Sequence, residues 1–130
     1  GISNKVLFLA GGIGITPVRS LFEDNLKKGR DAKLIYANRS EADIVFKKEL
    51  EDLQNKYGVP VVHVLSDKAS ISGEIGYIDE EKIKRLVPDF RERDVYVCGP
   101  VPMMDSLMGI LRKIGIPGDK IHFEKFSLLG

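Results

Sequence analysis

The chain has 130 residues, enough for one domain around one core. Its 20 lysines and arginines nearly cancel 19 aspartates and glutamates, leaving +1, so no overall basic field speaks for nucleic acid. One cysteine excludes an internal disulfide and an all-cysteine zinc or iron–sulfur site, and no apolar run reaches the roughly 20 residues of a membrane span. The N-terminus GISNK lacks the shape of a signal peptide, and the single cysteine fits a reducing compartment; the expectation is a cytoplasmic protein or the cytosolic domain of a membrane protein. The first apolar run begins almost at once, which predicts a fragment of a longer protein cut near a domain edge.

Lys5–Ala10 (KVLFLA) has the pattern of a strand covered on both faces. Gly11, Gly12 and Gly14 follow. Thr16 and Pro17 read as N-cap and first residue of a helix with Val18, Leu21, Phe22 and Leu26 on one stripe. Gly29 stops it. Ala32–Asn38 is a second strand. Asp43 is expected to cap the next helix, with Phe46, Leu50 and Leu53 inward and Gly58 as the stop. Val59–Leu65 is a third strand. A glycine-containing loop leads to Asp79, which caps a shorter helix ending near Leu86. Asp94–Gly99 is a fourth strand. Pro100 and Pro102 open a helix that ends at Gly115, and Lys120–Phe126 closes the chain as a fifth strand and tail.

Alternating strands and helices imply right-handed crossovers. The expected fold is a doubly wound, Rossmann-like, five-stranded parallel sheet in a three-layer α/β/α domain. Such sheets bind ligands at the carboxyl ends of their strands, where strand order reverses. The loops after the first, second and fourth expected strands are therefore the candidate site.

Glycines at the end of the first strand let a ligand approach bare backbone, and the helix that follows aims unpaired N–H groups at the same space. Thr16 adds a hydroxyl. This arrangement attracts a pyrophosphate. No lysine follows the glycines, so ATP or GTP hydrolysis by a nucleoside-triphosphate loop is not expected. The ordinary dinucleotide fingerprint is also broken. Pro17 stands at its third glycine, and the second strand ends in Asn38-Arg39-Ser40 rather than an acid. An S-adenosylmethionine methyltransferase would want an acid there too.

Three motifs carry a resemblance. They are Gly11-Gly12-Ile13-Gly14-Ile15-Thr16-Pro17, Cys98-Gly99-Pro100-Val101-Pro102-Met103, and Glu124-Lys125-Phe126, in that order at strand ends. On them the chain resembles the NAD(P)-binding domain of the ferredoxin–NADP reductase family. The stretches GGIGITPVRS and VPDFRERDVYVCGP look somewhat like the ferric-reductase and NADPH-oxidase branch. The resemblance implies hydride transfer from NAD(P)H to FAD, then electron release to an iron–sulfur protein, haem or ferric iron. It implies catalytic positions at Cys98 and Glu124, beside the nicotinamide. It implies cofactor contacts at Gly11, Gly12, Gly14, Thr16, Pro17, Arg39, Ser40, Cys98, Gly99, Pro100, Met103, Glu124 and Phe126. In the plant-type members the closing aromatic is the last residue; here four residues follow Phe126. The family's FAD-binding barrel has no counterpart in this sequence and is expected N-terminal to it, as a partner domain.

Arg39-Ser40 favours NADP(H) over NAD(H), because a guanidinium grips a 2′-phosphate in bidentate fashion. Glu41 and Asp43 oppose it. His63 and His122 lack partners at metal-ligand spacing, so no metal site is expected. The alternative reading is a non-catalytic nucleotide-sensing module, which would need neither Cys98 nor Glu124 and Phe126.

Overall fold

The computed structural model describes residues 4–67 and 73–123. The strands are β1 (Lys5–Gly11), β2 (Asp31–Asn38), β3 (Val61–Leu65), β4 (Glu74–Ile75), β5 (Asp94–Cys98) and β6 (Ile121–Phe123). The helices are α1 (Ile15–Lys27), α2 (Lys47–Tyr57), α3 (Glu80–Leu86) and α4 (Val101–Lys113). Every strand pair is parallel, in the order β4-β3-β2-β1-β5-β6. The doubly wound fold is as expected, but the sheet has six strands rather than five. The added β4 pairs Glu74 and Ile75 with Val64 and Leu65.

Side chains alternate across the sheet with the two-residue period of strands. Val6, Phe8, Ala10, Leu34 and Tyr36 pack under Val18, Phe22 and Leu26 of α1 and Leu50 and Leu53 of α2. Leu7, Leu9, Ile35, Val95 and Val97 pack under Ile83 of α3 and Leu107 and Leu111 of α4. Both faces are apolar because both are covered.

Two local expectations fail. Thr16 is not the N-cap of α1. A short 3-10 turn, Gly12–Gly14, runs directly into a helix that starts at Ile15, with Gly14 at the cap position. Asp43 does not cap α2. It closes the 3-10 turn Glu41–Asp43 by accepting from the Ser40 backbone N–H at 3.2 Å and the Ser40 hydroxyl at 3.0 Å. The chain enters α2 through Phe46, in the left-handed region at φ 61°. Asp79 does cap α3, accepting from the Lys82 N–H at 2.9 Å.

The amino ends of the strands are tied by Arg93, which is fully buried. Its Nη1 donates to the Val6 and Asp31 carbonyls, both at 2.9 Å. Its Nε donates to Asp89 at 2.9 Å, and its Nη2 pairs with the Asp31 carboxylate at 3.0 Å. Lys5 reaches Asp89 from the other side at 3.1 Å. The Arg93 hydrogen bonds, with help from Lys5, hold the Asp89 carboxyl at about 2.

Candidate functional site: the cleft at the carboxyl ends

Strand order reverses beside β1, whose neighbours are β2 and β5. Ala10 is in register with Cys98, and Gly11 with Ala37, so three strand ends meet at one level. Above them opens a cleft of about 560 Å³. Its walls come from Gly11 and Gly12, from Ala37–Arg39 with Asp43, from Gly76–Ile78, and from the first turns of α4.

The glycines serve separate purposes. A Cβ on Gly14 would sit 2.2 Å from the Cys98 carbonyl oxygen and 2.8 Å from the Gly99 nitrogen. Only glycine lets α1 start that close to the end of β5. A Cβ on Gly11 would lie 2.2 Å from the Met103 sulfur, and one on Gly99 2.7 Å from it. Met103 thus fills the gap between the two loops, lying against both glycines. Among the glycines of the two motif loops, Gly12 combines a positive φ of 51° with open space around its α-carbon. It is the place where a ligand reaches bare backbone.

Of the residues expected at the site, Gly11, Gly12, Arg39, Pro100 and Met103 line the cleft. Gly14 and Gly99 form the seam between its two loops. Thr16 is exposed on the first turn of α1, with Pro17 beside it. The Ser40 hydroxyl is held by Asp43. Cys98 is buried beneath α1, in the layer of Ile15 and Val18. Glu124 and Phe126 lie outside the described residues.

The structure adds residues that sequence reading missed. The Asn38 side-chain nitrogen is buried at the cleft without a hydrogen-bond partner. Such a donor costs free energy unless a ligand accepts from it. Ser66, Tyr77 and Ser106 also line the cleft. Glycine-rich spacing flagged the loop before Asp79, but a two-residue β4 gave no strand signal to place it. Among the described residues, the large exposed apolar side chains are Ile13, Val45, Ile75, Tyr77 and Val101. All five sit at the carboxyl ends of strands or just beyond. No group of three or more His, Cys, Asp or Glu among the described residues is placed to hold a metal ion. No helix among them is long and apolar enough to cross a membrane.

The family model for the oxidoreductase NAD-binding domain matches residues 8–108. The glycine betaine monooxygenase reductase subunit of Pseudomonas aeruginosa is 32% identical, over 96% of this chain and 36% of its own length. The ferredoxin reductase component of a 3-ketosteroid-9-alpha-monooxygenase from Mycolicibacterium smegmatis is 36% identical, over 98% of this chain and 35% of its own. The chain therefore spans about a third of these relatives. The cytochrome b5 reductase domain of Ulva prolifera nitrate reductase superposes with a TM-score of 0.82 at 27% identity, covering 93% of this chain and 50% of that one. The ferredoxin reductase in carbazole 1,9a-dioxygenase gives 0.81 at 26%, covering 95% and 38%. Fold, motifs and family model agree: the chain belongs to the oxidoreductase NAD-binding domain family, and it is similar in sequence and fold to reductase components and ferredoxin reductase domains.

Proposed function

We propose that the chain is the NAD(P)H-binding half of a flavin-dependent oxidoreductase that passes electrons on to an acceptor protein. The observation that carries this is the seam of Gly14 against the Cys98 carbonyl. It brings two motif loops together as the floor of one cleft, with the open backbone of Gly12 beside it. The reductase components among the relatives favour an oxygenase-type parent, with an iron–sulfur protein or oxygenase as acceptor. Their greater length leaves room for the separate FAD-binding domain expected N-terminal to this one.

The cleft fits a dinucleotide. Unpaired N–H groups of the first turn after Gly11 suit a pyrophosphate, and Asn38 offers a buried donor to a ribose. NAD(P)H supplies a hydride to FAD; the protein supplies position. By the family resemblance Cys98 and Glu124 belong to the nicotinamide end, Glu124 lying outside the described residues. Cys98 is fully buried under α1 and takes no covalent part; it bears on the ring only through the backbone seam that its carbonyl makes with Gly14. Arg39, exposed at the other rim, grips the 2′-phosphate of NADP(H). Ser40 joins that grip only by releasing Asp43.

The purified chain should bind NADPH weakly and oxidise none of it until the flavin-loaded domain of the full-length protein is added. Turnover of the chain alone with an artificial acceptor would refute the division of labour. Arg39→Ala should weaken NADPH roughly ten- to hundredfold, the worth of a charge-assisted contact of about 1.5–3 kcal/mol, and leave NADH nearly unchanged. Equal losses in titrations of both nucleotides would mean that Arg39 does not read the phosphate.

A further inference from the structure

Tyr36 is fully buried in β2, yet its hydroxyl reaches the top of the sheet. There it accepts from the Val45 N–H at 3.2 Å and faces the Gly12 carbonyl oxygen at 3.5 Å. One side chain thus spans the two rims of the cleft. Gly12 belongs to the loop after β1. Val45 follows the Ser40–Asp43 turn after β2 and precedes Phe46, whose left-handed backbone aims α2.

The contact fixes a direction. The Gly12 carbonyl points inward, toward Tyr36 and toward the Ile15 N–H that it also accepts. In a trans peptide the next N–H points the opposite way. The Ile13 N–H is therefore turned outward from the sheet, at the start of the helical turn. An anion on that N–H polarises the shared peptide and makes the Gly12 oxygen a stronger acceptor. The 3.5 Å contact is at the outer limit of a hydrogen bond, so it has room to shorten.

We propose that Tyr36 is a positioning residue for the diphosphate of the bound nucleotide. Its hydroxyl holds the Gly12–Ile13 peptide with the N–H outward, and couples that loop to the β2–α2 loop that carries Arg39. The inference rests on the nucleotide-binding reading above. It requires no contact between Tyr36 and the ligand. A phenylalanine would fill the same core space but would leave the peptide untethered.

Titration of the 130-residue chain with ADP and with adenosine tests it. Tyr36→Phe should weaken ADP three- to tenfold, leave adenosine within twofold, and keep the melting temperature within a few degrees. Equal ADP affinity in wild type and Y36F would overturn the role of Tyr36 alone. Failure of wild type to bind either ADP or NAD(P)H would overturn the nucleotide reading, and this inference with it. A measurement on the wild type guards against a folding defect in the variant. ADP should slow hydrogen exchange at the Val45 amide at least threefold more than adenosine does at equal saturation. Equal slowing by the two would refute the coupling.

Discussion

Arg93→Met should destabilise the domain by about 3 kcal/mol, the lower end of the range for breaking a buried ion pair, and lower its melting temperature by roughly 10 °C. The variant keeps the bulk of the side chain but strands the Val6 and Asp31 carbonyls that Arg93 satisfies. The loss stays at the low end because Asp31 is half exposed and can turn to water. Nucleotide affinity per folded molecule should not change, since the clamp lies at the amino ends of the strands and the cleft at the carboxyl ends. A thermal melt that falls by less than about 3 °C would show that the clamp contributes little. The same network sets the response to acid. Asp89 titrates at about 2 when folded, against 3.8 for the ordinary carboxyl. Its folded value is depressed, so its contribution is complete above about pH 4 and is lost as pH falls from there to about 2. Arg93→Met should flatten that acid limb of the melting curve, and an unchanged limb would assign it to other carboxylates.

Gly14→Ala should reduce NADPH affinity by more than tenfold and also lower stability. The new Cβ meets the Cys98 carbonyl oxygen at 2.2 Å and the Gly99 nitrogen at 2.8 Å. Both are backbone atoms at the end of a central strand, so no flexible side chain can yield. α1 must withdraw from β5, and the floor of the cleft parts. Gly12→Ala is the comparison for stability alone: its Cβ meets no protein atom within 4 Å, so the folded chain bears only the left-handed backbone, on the order of 1–2 kcal/mol, while a bound nucleotide would meet the new methyl. Isothermal titration and melting of both variants separate the effects. Retention of wild-type affinity in Gly14→Ala within threefold would mean that the seam is not what shapes the site.

The central strands and the two motif loops were legible because apolar runs ended by glycine and proline leave few alternatives. β4 was not. Two residues carry no period, and Glu74 and Ile75 become a strand only by pairing with Val64 and Leu65. The Thr16-Pro17 pair read as a helix start, but the loop was already turning from Gly12 on, because Gly14 is pinned to β5. Asp43 had the right chemistry for a cap and the wrong target, since its partner Ser40 lies three residues back. Phe46 in a left-handed conformation has no sequence signal. Its ring lies under the Arg19 guanidinium, 5.1 Å away, a contact between α1 and α2 that only the fold creates. Asn38, Ser66, Tyr77 and Ser106 belong to four separate stretches, and strand order alone brings them to one cleft.

That order also dictates when the site can exist. β1 meets β2 after a single crossover, so half of the cleft can assemble from the first third of the chain. Its other neighbour, β5, comes from near the far end: Leu9 must find Val97. Closing so large a loop is slow, because its entropy is lost before any contact forms. A chain emerging from the ribosome therefore displays the glycine loop long before the Cys98-Gly99 backbone arrives to seat it. Nucleotide binding becomes a report of finished folding, and a product truncated before β5 carries the first motif without the seam on which the cleft is built.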